Sequence, residues 1–158
     1  MSGNNASVEL REVAQSDLDV FFHHQQDTES NDLAKVYPRE RSDFDAHWDR
    51  ILKNPEVIAR TIVFAGEVVG NINTFMVEEQ RFIGYWIDRA HWGKGIATRA
   101  VAEMVEIDTH RTIRAIVASE NIGSIRALER CGFVKIYEQD SEGDERFMAC
   151  VEAVYELC

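Results

Sequence analysis

Between Arg89 and Arg99 the chain reads Arg-Ala-His-Trp-Gly-Lys-Gly-Ile-Ala-Thr-Arg, and no acidic residue falls between Arg89 and Ala102. Gly93 and Gly95 permit close backbone approach and dihedrals that other residues avoid. The segment follows a strand-like run and opens a helix-like one. A helix N-terminus presents free N–H groups and the positive end of the helix dipole. With Arg89, Lys94 and Arg99 on the same stretch, the chemistry is that of an anion cradle, and a pyrophosphate is the anion it suits. The plainer alternative is a tight strand-to-helix turn with a solvated basic rim. A Walker A loop, G-x-x-x-x-G-K-[ST], is absent, and a dinucleotide fingerprint would need a third glycine where Thr98 stands.

The elements that must position this segment can be read from periodicity. Residues 8–13 alternate as a first strand, and residues 18–25 and 43–52 show helical spacing, the second with Phe44, Trp48, Ile51 and Leu52 on one face. Residues 27–31 read as a polar connection, and Asn54-Pro55 ends the second helix. Residues 59–65 and 67–77 are β-rich and flank Gly66 as a hairpin, and 81–88 form the next strand. On that strand Tyr85 shares a face with Ile83 and Ile87, as a packing residue would. Helices follow at 95–108 and 121–131, the latter closed by Gly132, with a buried strand at 112–119 between them. The last strands are 133–139 and 146–157 around the turn at Glu142-Gly143-Asp144. This order predicts one domain over 1–158, of the α+β class, with a mixed sheet and helices on both faces.

Two motifs in order then carry a resemblance. Trp92-Gly93-Lys94-Gly95-Ile96-Ala97 resembles the acetyl-CoA pyrophosphate loop of the GNAT superfamily of N-acetyltransferases, [RQ]-x-x-G-x-[GA], with Trp92 in place of the usual Arg or Gln. Asn121-Ile-Gly-Ser124 through Gly132-Phe133 resembles that superfamily's second signature. Gly84-Tyr85-Trp86-Ile87, His91 to Gly95 and Leu10-Arg11 are similar to the branch of ribosomal-protein N-terminal acetyltransferases, the RimJ/RimL-like branch. The resemblance implies a mostly antiparallel twisted sheet of about seven strands flanked by about four helices.

It also implies acetyl-CoA as co-substrate and an amine acceptor, either a protein N-terminus or a small amine. The pyrophosphate would lie on the main chain of Gly93 to Thr98, beside Trp92, Lys94, Ile96 and Ala97. The pantetheine arm would pair with Trp86, Ile87 and Asp88 as an added strand. A main-chain N–H near Ile87 would stabilise the oxyanion. Asn121 has two compatible readings, pantetheine contact and helix N-cap. The superfamily's glutamate base is missing, since Arg81 and Phe82 occupy the matching positions, and Leu128 stands where many members carry a tyrosine acid. Ser124 is the one hydroxyl left in that signature, as proton donor or thiol partner, or as a first-turn capping residue. Asp88, Glu120 or a water relay are the candidate bases. His23-His24 reads as a solvated helix face rather than a catalytic pair, His91 as a loop surface position, and Phe44 and Trp48 as core. A CoA-binding regulatory module that does not catalyse is the alternative, motivated by the missing glutamate and tyrosine. A homodimer is a family-level expectation.

Composition bounds the remaining choices. There are 17 Lys+Arg against 28 Asp+Glu, a formal net charge of −11, which argues against nucleic acid and anionic membrane as partners. Several surplus acids (Asp27, Glu29, Asp32, Asp43, Asp45, Asp49) fall on the acceptor side, where they fit either a cationic acceptor or a solvated face. Cys131, Cys150 and Cys158 show neither metal nor disulfide spacing, so no metal is expected. Met1–Leu10 is polar with no apolar core of a leader, and the Asn5-Ala6-Ser7 sequon has no role without secretion, so a cytoplasmic protein is expected.

Overall fold

The computed structural model describes residues 7–158. Met1 to Ala6, with most of the polar start and two of the three sequon residues, lie outside the described residues. Seven strands form one sheet in the order β1-β2-β3-β4-β5-β7-β6. They are β1 (Val8–Glu12), β2 (Ile58–Phe64), β3 (Glu67–Val77), β4 (Gln80–Ile87), β5 (Ile113–Ala118), β6 (Val134–Ser141) and β7 (Cys150–Leu157). All neighbours are antiparallel except β4 and β5. β2 and β3 turn at Ala65-Gly66, and β3 and β4 at Glu78-Glu79; all four residues have positive φ, the geometry that matches strand twist in a two-residue hairpin. The second turn has no glycine, so it gives no turn signal in the sequence.

Helices cover both faces. α4 (Ile96–Ile107) and α5 (Ile122–Arg130) pack on one, where the i, i+4 stripe Ile96, Ala100, Met104 meets Ile62, Ile72, Ile83 and Leu128 in the main core. α1 (Asp17–His24) and α3 (Arg41–Lys53) pack on the other around Leu18, Phe21, Phe44 and Trp48. The Phe21 and Trp48 rings lie 5.1 Å apart. Asp17, 3% exposed, anchors α1: it accepts from Arg11 at 2.7 and 2.9 Å, from the Ala14 N–H and from Thr61 on β2.

Two boundaries differ from expectation. The polar stretch after α1 is a fifth helix, α2 (Thr28–Ala34), started by the Asp27 carboxylate accepting from the Ser30 N–H and hydroxyl. The last strand begins at Cys150 rather than 146; the preceding loop is set by Asp144 accepting from the Arg146 and Phe147 N–H groups. That loop reaches across to the segment after α2, through a bridge between Val36 and Phe147 and the Tyr37 N–H donating to the Arg146 carbonyl.

The feature that shapes the site is the β4–β5 contact. It has two register pairs, Arg81 with Ile113 and Phe82 with Arg114, and then the strands part. A buried ion pair, Arg81 Nε to Asp108 Oδ2 at 2.7 Å, holds the joined end. Arg81 also donates to Thr74 and to the Glu56 carbonyl.

Candidate functional site

Beyond Phe82 the β5-facing edge of β4 is open. Strand alternation decides which groups line it. The Asp88 N–H donates to the Val69 carbonyl, and the Trp86 carbonyl lies against Gly70, so these residues address β3. Tyr85 and Ile87 therefore address the open edge. A methyl at Gly70 would fall 2.0 Å from the Trp86 oxygen, so glycine there is what lets β3 hold this part of β4 close.

A cavity of about 360 Å³ occupies the gap. Its walls are β4 (Tyr85, Trp86, Ile87), the loop and first turn of α4 (Trp92, Gly93, Gly95 to Thr98), α5 and α2. Gly93 and Gly95 have φ of 80° and 74°, and a side chain would cost strain at both. Gly95 is the N-cap of α4, whose first turn contains no acid. The N–H groups of Ile96, Ala97 and Thr98 precede the first intrahelical acceptors and are available to an anion. Trp92, standing where the usual Arg or Gln is missing, donates its indole N–H to the Ile87 carbonyl at 2.9 Å, tying the loop to the strand end.

Of the residues expected from the sequence, Trp86, Ile87, Trp92, Gly93, Gly95, Ile96, Ala97, Thr98, Asn121 and Ser124 line this cavity together. Asp88 and Lys94 do not. Asp88 turns to His91 Nδ1 at 3.2 Å, and the Lys94 ammonium lies 5.9 Å over the Phe64 ring. Asn121 caps α5, its Oδ1 accepting from the Ser124 N–H at 3.4 Å. The loop's basic residues behave differently from expectation. Arg89 pairs with Asp27 at 2.8 Å and Glu29 at 3.2 Å, and Arg99 donates to the Lys94 carbonyl at 3.1 Å. The cationic side chains at the cavity are instead Arg126 and Arg130 of α5. Their spacing of four places them on one helical face, which is the signal that sequence reading passed over.

Several other residues gain a defined place. The Tyr85 hydroxyl bridges to α5, donating to the Ser124 carbonyl at 3.3 Å, and burial pushes its pKa up to about 12. His91 lines the cavity rather than a loop surface. His24 is 7% exposed, not on a solvated face, and burial lowers its pKa; His23 is exposed. Leu128 is fully buried in the core, so the position that carries a tyrosine in many relatives holds packing here. Glu120 is exposed and lies 3.7 Å from Lys35. Neither Asp88 nor Glu120 lines the cavity, and none of its lining residues is a carboxylate.

A second cavity of about 160 Å³ shares Tyr85 and Trp86 with the first. Its other walls come from α1, α2, α3, β3 and the loops carrying Arg39 and Arg146. The acceptor-side acids do not line it: Asp27 and Glu29 pair with Arg89, Asp45 with Arg41 and Asp49 with Lys53. Among the described residues no group of three His, Cys, Asp or Glu is placed to hold a metal, and no helix is long and apolar enough to cross a membrane.

The acetyltransferase (GNAT) domain model matches residues 7–134. Over 77 residues, 43% of this chain and 42% of the relative, the sequence is 42% identical to the probable N-acetyltransferase YjcK of Bacillus subtilis (strain 168). The matched region spans less than half the length of the curated relatives. Among solved structures, the spermidine N-acetyltransferase of Vibrio cholerae, in complex with CoA and spermine, superposes with a TM-score of 0.78 at 19% identity, covering 94% of each chain. RimL, a ribosomal L7/L12 N-terminal acetyltransferase in complex with CoA, superposes with a TM-score of 0.77 at 15% identity over 96% of this chain and 93% of that one. The extent of the domain match, with the same architecture in both structures, shows that this chain belongs to the GNAT acetyltransferase family.

Proposed function

We propose that the protein is an acetyl-CoA-dependent N-acetyltransferase that moves the acetyl group to a primary amine by direct attack. The carrying observation is that one cavity joins the open edge of β4 to the acid-free, glycine-capped start of α4. A pantetheine arm needs the former and a pyrophosphate the latter. The residues fit the co-substrate: main-chain N–H groups at Ile96 to Thr98 hold the anion, with Arg126 and Arg130 supplying charge. The main chain of Tyr85 and Ile87 orients the arm as an added strand. The Ile87 N–H stabilises the oxyanion that forms on the acetyl carbonyl. Asn121 fixes the start of α5, and through it Ser124, whose hydroxyl is the donor available to the leaving sulfur; the Tyr85 hydroxyl serves in the same way only by exchanging its bond to the Ser124 carbonyl for one to the sulfur. A phenol whose pKa is raised to about 12 stays protonated at neutral pH, as a donor must.

No carboxylate lines either cavity, so no Asp or Glu side chain there is placed to take the amine's proton. The same observation motivates a second reading, a CoA-binding module that does not catalyse. One experiment separates them. Acetyl-CoA at about 100 times its Kd should stabilise the protein by roughly 2.7 kcal/mol, a melting shift of about 5–11 °C. Thiol release with a panel of amines then reports transfer. No melting shift at saturating acetyl-CoA refutes both readings, and a shift without thiol release leaves the second.

A further inference from the structure

We propose that the acceptor is a small amine that also carries an anion, a carboxylate or a phosphate, and that Arg39 and Arg146 receive that anion in the second cavity. The proposal rests on the acetyl-transfer reading and names its substrate class. Both arginines line the cavity of about 160 Å³ that shares the Tyr85–Trp86 wall with the co-substrate cavity. Its volume falls below the usual range for drug-sized ligands, about 300–1,000 Å³, and suits a metabolite rather than a chain segment.

Some arginines find carboxylates: Arg11 with Asp17, Arg41 with Asp19 and Asp45, Arg81 with Asp108, Arg89 with Asp27, and Arg114 with Glu156. Arg39 and Arg146 make no such ion pair among the described residues, and what sets them apart is that both line one cavity with no carboxylate on its walls. Their nearest acids act only at a distance. Asp43 faces Arg39, and Asp144 near Arg146 is engaged by main-chain N–H groups. Arg146 is held by its bond to the Tyr37 carbonyl, which fixes it to the segment bearing Arg39. The two guanidiniums feel one another: burial first, and then Arg39, lowers the pKa of Arg146 to about 10. His47, on the same wall, is pushed down to about 4 by burial and by Arg39, Arg50 and Arg146, so it adds no charge at neutral pH. Two half-buried cations on one cavity wall repel one another while no anion lies between them, and a bound carboxylate or phosphate meets their fork geometry.

The amine end has its own partners. The Oδ1 atoms of Asn31 and Asn73, both on the cavity wall, are buried without a hydrogen-bond partner. Asn31 Nδ2 donates to the Gln25 carbonyl at 2.8 Å, which fixes its Oδ1 as the acceptor. Asn73 stands opposite Gly84, one pair from the Tyr85–Trp86 wall. Amide oxygens from α2 and β3 and guanidiniums from the loops separate amine from anion. The ammonium first gives one proton to solvent; the amine nitrogen then bonds to the acetyl carbon as the carbon–sulfur bond breaks, and its second proton ends on the CoA thiolate.

The test compares α-amino acids, aminoalkylphosphonates, α-amino amides, polyamines and short peptides, by thiol release and by melting of the CoA-loaded protein. One anionic class should exceed the matched neutral amides by roughly ten- to a hundredfold in kcat/KM, the discrimination expected of charged hydrogen bonds. The carboxylate and phosphonate arms decide between the two anions. Arg39→Gln and Arg146→Gln should each raise KM for the anionic amine by a similar factor and leave the KM for acetyl-CoA and the rate on neutral amides unchanged. Preference for polyamines, neutral amines or peptides overturns the proposal, as does any loss in the variants that falls equally on charged and neutral amines. No response to any anionic amine overturns it too. A protein that ignores acetyl-CoA fails the transferase reading, whereas one that binds it and acetylates amines without an anion fails only this proposal.

Discussion

Replacing Arg81 with methionine tests how the cleft is held open at one end and shut at the other. Arg81 and Asp108 have side chains 4% and 0% exposed, and their 2.7 Å contact sits where β4 and β5 are paired. Removing one partner of a buried pair costs about 3–5 kcal/mol, because the other charge stays buried. Here Asp108 keeps the His110 N–H at 3.0 Å and the His110 ring at 2.6 Å, so the loss belongs at the lower end, about 3 kcal/mol. For a domain of this size that is a fall in Tm of roughly 6–12 °C. Urea melts followed by far-UV circular dichroism should show the midpoint fall with an unchanged slope. Adding Asp108→Leu should return at least half of the loss, since an apolar pair removes the stranded charge. The acetyl-CoA KM should rise in the single variant because the open edge of β4 loses its anchor. A single variant within about 1 kcal/mol of the parent, or a double variant as poor as the summed singles, refutes the reasoning.

Gly70→Ala should be strongly destabilising and should weaken acetyl-CoA binding, since the new Cβ meets the Trp86 carbonyl at 2.0 Å and must push β4 aside; melting and co-substrate titration check both. Tyr85→Phe should cost only about 0.5–1.5 kcal/mol of stability, from the lost bond to the Ser124 carbonyl, yet slow thiol release more than that, with KM for acetyl-CoA little changed. With no base carboxylate on the walls, kcat/KM should climb with pH through the acceptor amine's own pKa and show no additional inflection in the carboxylate range. Burial pushes the Asp17 carboxyl up, but its bonds from Arg11, Ala14 and Thr61 outweigh that and hold it below the usual range. The stability it contributes is therefore full above about pH 4 and is lost as pH falls through the depressed value. Asp17→Asn should flatten the acid limb of the stability curve.

The glycine loop was legible because its signal is local. Two glycines, an acid-free stretch and an amphipathic helix lie within about twenty residues, and Gly93, Gly95 and the first turn of the helix line one cavity. The core helices and strands were legible for the same reason, their periodicity matching the faces they bury. α2 was not. Its sequence, Thr-Glu-Ser-Asn-Asp-Leu-Ala, lacks an apolar face, and it is held by the Asp27 cap and by Arg89 from the loop after β4. Arg89 shows the same thing: it neighbours the loop in sequence, but its guanidinium leaves the loop for Asp27 and Glu29 at the start of α2. The second cavity was invisible because Arg39 and Arg146 are far apart in the chain and meet through the Val36–Phe147 bridge.

A sheet ordinarily has two outer edges, and this one has a third inside it. Strand β4 is interior through Phe82 and an edge from there to Ile87. An exposed edge invites another chain to pair with it. This one is recessed between α2 and α5, and the Trp92 indole occupies the Ile87 carbonyl. Hydrogen exchange should register the division along one strand: slow amides where β5 is present, and faster ones at Tyr85 and Ile87. The protein thus keeps an unfinished seam in mid-sheet, guarded against its own copies and open to a ligand narrow enough to enter.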